Sequence, residues 1–80
     1  MLTNQKIKFI RSLSLKKNRT ENQLFVVEGE KNVNEFINSD FLIDSIYSLD
    51  DSFDNSIKVS NKELERISHL SSSNKVLAVV

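Results

Sequence analysis

Gln23-Leu24-Phe25-Val26-Val27-Glu28-Gly29-Glu30-Lys31 is the stretch that decides the fold. Residues 24–27 are large and apolar, two of them β-branched, and they read as a strand buried on both faces. Glu28 and Gly29 follow, the latter being the one glycine in 80 residues. Past Gly29 the spacing turns helical, with Val33, Phe36 and Ile37 at i, i+3 and i+4, which predicts a helix over 30–38. A buried strand that ends in glycine and turns into a helix is suited to binding. Glycine admits a close approach, and the first helical N–H groups have no partner within the helix. Such a helix start favours anions, phosphate among them.

On the N-terminal side, residues 15–22 are polar and basic; they leave room for a further helical turn, but their weak periodicity makes them read as a linker into the strand. Before them Thr3, or Asn4, is placed to cap a first helix. Ile7, Phe9, Ile10 and Leu13 then share about half of its circumference, with Lys8 and Arg11 opposite. On the C-terminal side, turn-formers at 38–40 end the helix. A second strand is predicted over 43–49, with Ile43, Tyr47 and Leu49 on one face and Ile46 on the other. Residues 50–55 form an acidic loop, expected to be mobile, and 57–59 a short third strand. Ser60-Asn61-Lys62-Glu63 spells a capping box, with Val59 and Leu64 at the two positions of a hydrophobic staple. Leu64, Ile67 and Leu70 continue that helix, 71–74 are a loop, and 75–80 form a last strand. This alternation predicts an α/β fold: a three-layer α/β/α sandwich around a mostly parallel sheet of about four strands, with helices on both faces.

Composition bounds the rest. Eighty residues make one domain, residues 1–80, which buries only about 60% of its unfolded surface. Cysteine is absent and His69 is the single histidine, so no disulfide, thiolate site or histidine cluster can reinforce the chain. Its longest apolar run, 76–80, falls far short of the roughly 20 residues that span a bilayer. No signal-peptide pattern opens the sequence. A cytoplasmic protein with no membrane partner is expected. Net charge is zero, yet residues 1–20 carry Lys6, Lys8, Arg11, Lys16, Lys17 and Arg19 without one acid. Asp40, Asp44, Asp50, Asp51 and Asp54 cluster without a base. That asymmetry suits a polyanion on one side only.

Enzymatic constellations are nearly absent. A single glycine cannot form a phosphate loop, and no pair of histidines or cysteines has metal-ligand spacing. Glu28 and Glu30 could in principle serve acid–base chemistry. The stronger reading is that Glu28 ends the strand with a structural hydrogen bond and Glu30 favours the helix start. With one distant histidine, no triad is suggested. No catalytic, cofactor-binding or metal-binding residue is assigned, and the chain alone is expected to catalyse nothing.

Ile7-Lys8-x-Ile10, then Lys17-x-Arg19, then Leu24-Phe25-Val26-Val27-Glu28-Gly29-Glu30-Lys31 resemble the start of the SpoU/TrmH family. These are RNA ribose 2′-O-methyltransferases of the SPOUT class. Val76-Leu77-Ala78-Val79-Val80 resembles the last strand of that family's N-terminal substrate-binding domain. The resemblance covers essentially the whole chain. It implies an α/β/α domain similar to kink-turn-binding ribosomal proteins, with rRNA or tRNA meeting the helix start at Gly29 and Lys31. It also implies a knotted domain after residue 80 that binds S-adenosylmethionine and dimerises, whereas the chain by itself is expected to be a monomer. Ser72-Ser73-Asn74-Lys75 departs from the family's Thr-Pro-x-Gly turn at that place.

Arg19 and Lys31, which flank the first strand, are the leading candidates for phosphate contacts, with Lys16 and Lys17 behind them and Gly29 at the turn. Arg19 could instead pair with Glu21 or Glu28. Lys8 and Arg11 read as solvated helix charges, Phe25, Phe36, Phe41 and Tyr47 as core, and His69 as a partner for its helix's C-terminus. Three functions stay open: the substrate domain of a SPOUT-type methyltransferase, a freestanding kink-turn-type RNA-binding module, and a protein-interaction domain.

Overall fold

The sheet is built around the last strand of the chain. A computed structural model describes residues 2–51, 53–69 and 75–80. Within them the elements are α1 (Asn4–Ser12), α2 (Lys16–Asn22), β1 (Val26–Glu28), α3 (Glu30–Ile37), β2 (Ser45–Ser48), β3 (Ile57–Lys58), α4 (Asn61–Ile67) and β4 (Val76–Val79). Strand order is β1-β4-β2-β3. β4 runs antiparallel to β1, with Val26 opposite Val79, and antiparallel to β2, with Tyr47 opposite Leu77. β2 and β3 are parallel, with Tyr47 opposite Ile57. The sheet is therefore mixed. β1, β2 and β3 share a direction, as an alternating chain should, but β4 inserts between β1 and β2 against them and makes both of its pairings antiparallel.

Period-2 alternation on β4 separates two cores. Leu77 and Val79 face Ile7 and Ile10 of α1, Leu13 just after it, and Leu64 and Ile67 of α4. Val76, Ala78 and Val80 face the other way, towards Val33 of α3 and Phe53. Three layers result, with α1 and α4 on one face and α3 on the other. All four residues of β4 are buried, whereas β1 is an edge strand in which Val27 alone is fully buried. Leu24, Phe25 and Val26 are half-buried, so the strand read as buried on both faces is β1 only in part. Its ladder does extend past the regular strand, through the paired N–H and C=O groups of Phe25 and Val80 (3.0 and 2.9 Å).

The N-terminal caps fall where the sequence puts them. Thr3 Oγ1 accepts from the Lys6 N–H (3.1 Å). At α4, Ser60 Oγ accepts from the Glu63 N–H (3.2 Å) and the Glu63 carboxylate accepts from the Ser60 N–H (3.0 Å). Val59 and Leu64 are both buried in one core, as a staple requires.

Four readings need correction. Residues 15–22 are no linker: they contain α2, which buries no side chain and so shows no apolar stripe. Side chains anchor it instead, because Asn18 Nδ2 donates to Ser12 O (2.9 Å) and closes α2 onto the end of α1. Ile43 precedes β2 and packs on the α3 side, opposite to Tyr47 and Leu49. The acidic loop carries an anchor, for Phe53 is buried in the α3-side core. Phe41 is 56% exposed, although its ring packs edge-on against Phe25 and Phe36 at 5.9 and 5.2 Å. Leu70 and the 71–74 loop lie outside the described residues.

Candidate nucleic-acid interface

β1 connects two places where the predicted site residues gather. At its C-terminal end Gly29 takes φ 96° and ψ 144°, a backbone open in practice to glycine alone. That geometry lets the Gly29 N–H close the ladder on Val76 O (3.1 Å) while its carbonyl accepts from Val33 N (2.9 Å) and starts α3. Glycine brings no capping side chain, so the orphan N–H groups of the first turn stay available. Lys31 stands exposed in that turn.

Glu28 turns away from this helix start. Its side chain points to the α1/α4 face, where Oε1 accepts from Ser68 Oγ (2.6 Å) and Oε2 from the His69 N–H (2.9 Å). It thus ends the strand structurally and fastens the last turn of α4 beside the end of β1. The carboxylate is taken up there, which leaves Glu30 as the acid in the first turn of α3. His69 Nε2 meets the Ile10 carbonyl at 3.0 Å, so its ring N–H serves the C-terminal part of α1 rather than that of its own helix.

The other end of β1 holds Lys16, Lys17 and Arg19 on α2. Lys16 and Lys17 are exposed. Arg19 folds back: its Nη1 donates to Leu13 O (2.9 Å) and Ser14 O (2.8 Å), two carbonyls left over where α1 ends. Those carbonyls, and not Glu21 or Glu28, are the partners that hold Arg19. Lys16, Arg19, Thr20, Gln23, Leu24 and Phe25 line an open groove of about 530 Å³. From Phe25 to Gly29 an extended chain rises about 13 Å, so Arg19 and Lys31 sit at opposite ends of the strand and do not converge.

A third basic place escaped sequence reasoning. α1 and α4 pack side by side and parallel. Glu63 Oε2 accepts from the Leu2 N–H (2.8 Å) near their N-termini, and Arg11 Nη1 donates to Arg66 O (2.8 Å) near their C-termini. Between them Asn4, Ile7, Lys8, Arg11 and Arg66 line a groove of about 440 Å³. Only the tertiary pairing of the two helices brings Arg66 to Lys8 and Arg11. The 3.6-residue spacing of Lys62 and Arg66 on one side of α4 was the local hint.

Among the described residues, no three histidine, aspartate or glutamate side chains gather as metal ligands, and no helix is long and apolar enough to cross a membrane.

Comparison with known proteins finds a matching family and matching solved structures. The family model described as the MRM3-like substrate binding domain matches residues 4–78. No curated protein matches the chain. A solved structure assigned as an RNA methyltransferase of the TrmH family from Porphyromonas gingivalis superposes with a TM-score of 0.81 at 27% identity. The match covers 99% of this chain and 35% of that one, so the chain spans about a third of that protein's length.

Proposed function

The chain belongs to the MRM3-like substrate binding domain family, and on that premise we propose that it binds structured rRNA or tRNA for a ribose 2′-O-methyltransferase. In this reading the domain grips the RNA backbone and orients it. Methyl transfer takes place in a knotted domain expected beyond residue 80, in a cytoplasmic homodimer. The single observation that carries the reading is the match of the MRM3-like substrate binding domain over residues 4–78. The superposition on a TrmH-family structure supports it.

S-adenosylmethionine, the methyl donor that the family implies, does not fit the candidate places of this chain. Lysines and arginines line them, and they would repel its sulfonium cation. Its one glycine is already committed to the start of α3. The donor belongs in this reading to the other domain, and the residues here bind and position RNA.

At the helix start, Lys31 and the free N–H groups beside Gly29 offer donors to a phosphate. At the far end of β1, Lys16 and Lys17 offer point charges, and Arg19 offers whatever of its fork the two carbonyls leave open. Titration of a structured RNA into the labelled chain tests the proposal. Binding should be weak and should fall with salt, with a slope of about 0.7–0.9 per phosphate contact. Arg19→Ala with Lys31→Ala should lower the affinity and flatten that slope by about one to two. Lys6→Ala with Lys58→Ala, which removes equal charge elsewhere, should do much less. Equal losses from both pairs would reduce the interaction to diffuse attraction.

A further inference from the structure

We propose that the groove between α1 and α4, lined by Asn4, Lys8, Arg11 and Arg66, is a second binding site for the RNA phosphodiester backbone, separate from the Gly29–Lys31 helix start. The inference rests on the RNA-binding reading and extends it to the opposite face of the sheet.

Three cations share this groove, and no carboxylate lines it. Lys8, Arg11 and Arg66 are exposed. Glu63, the acid that links the N-terminal ends of the two helices, has its oxygens turned to the backbone N–H groups of Ser60 and Leu2. Like charges held together in this way repel one another, and a phosphate chain relieves the repulsion and releases its own counterions. Arg11 is also oriented. With Nη1 fixed on Arg66 O (2.8 Å), part of its fork is spent within the protein and its plane is set, which lowers the entropy lost when the remaining N–H groups meet a phosphate.

The lining selects the occupant. Ile7 forms the floor, and every other side chain in the groove is a hydrogen-bond donor. A peptide-binding groove is lined mostly by apolar side chains, whereas phosphate oxygens ask for lysine, arginine and asparagine donors. Position adds to this. Glu28 fastens Ser68 and His69, so the last turn of α4, which carries Arg66, lies beside the end of β1 where Gly29 begins α3. One RNA strand that crosses this end of the sheet meets Arg66 on one face and Lys31 on the other.

The test uses the whole chain, with Lys8→Gln and Arg66→Gln combined. Against a structured RNA at low salt, this pair should bind about tenfold more weakly, with a salt slope lower by about 1.4–1.8. A charge-matched pair, Lys6→Gln with Lys58→Gln, should keep most of the affinity. A footprint on the unaltered chain gives a second readout that does not depend on how the variants fold: RNA should protect Lys8 from acetylation and leave Lys6 reactive. Binding by the unaltered chain with no loss in the Lys8/Arg66 pair, or with Lys8 and Lys6 equally reactive, overturns the groove while the RNA-binding reading stands. Failure of the unaltered chain to bind RNA at all overturns that reading and the groove together. Equal affinity for polyglutamate, lost in the same pair, would make the occupant an acidic protein and overturn RNA.

Discussion

Glu63 carries more of the structure than its half-buried position suggests. Its carboxylate accepts from the Ser60 N–H at 3.0 Å and from the Leu2 N–H at 2.8 Å. The first closes the capping box and the second ties the entry of α1 to the entry of α4. Both hydrogen bonds favour the charged form. The Ser60 backbone N–H is the larger cause and the Leu2 N–H the next, and together they hold the carboxyl below the usual glutamate range. The folded pKa therefore lies under the unfolded value of about 4.3. The stability so gained is fully present above that unfolded value and is lost as pH falls through the lower, folded one. Glu63→Gln removes the titrating group. Between about pH 5 and pH 3 the melting temperature of the unaltered chain should thus fall more steeply than that of the variant. The difference between the two curves is the measurement, since the other carboxylates titrate in both. Parallel curves would mean that Glu63 does not hold these N–H groups in solution.

At the scale of elements, the passage from β1 to α3 depends on one backbone position. Gly29 sits at φ 96°, ψ 144°, and a Cβ there would meet its own backbone. Gly29→Ala should cost about 1–3 kcal/mol, which lowers the melting temperature by about 4–8 °C per kcal/mol in a domain of this size. A variant that melts with the unaltered chain would show that β1 enters α3 by another conformation. This turn was legible because it is local: an apolar run, one glycine, then helical spacing. The capping box at Ser60 and the Thr3 cap were legible for the same reason, each being complete within four residues. α2 was not, since Lys16–Asn22 buries nothing and is held by what Asn18 and Arg19 do to the end of α1. Ile43 was placed on the wrong face because the alternation of β2 begins only at Ser45. The apolar run 76–80 announced a buried strand, but nothing within it says that β4 enters between β1 and β2. The same limit applies to the candidate interface. Gly29 and Lys31 could be read from one stretch, while the Lys8–Arg11–Arg66 groove exists only once two helices far apart in sequence pack together.

At the scale of the molecule, the sheet decides which charges can act together. The two leading candidates for RNA contact are held by different ends of β1. Arg19 lies on α2 and is fixed by the carbonyls of Leu13 and Ser14 in the turn after α1, whereas Lys31 rides on the first turn of α3 beyond Gly29. About 13 Å of extended chain between Phe25 and Gly29 keeps their elements apart. In the RNA-binding reading each residue then meets its own part of the RNA. Sites so separated contribute nearly additively. A double-mutant cycle with Arg19→Ala, Lys31→Ala and the combination, read as RNA affinity at fixed salt, should give a coupling below about 0.5 kcal/mol. Circular dichroism must accompany Arg19→Ala, because that change also frees two carbonyls at the end of α1. The salt slopes should add in the same manner, each single variant flattening the line by up to about one contact. A coupling well above that bound, with both single variants folded, would mean that RNA draws the two ends onto one phosphate, and the sheet could not then be the rigid spacer between them.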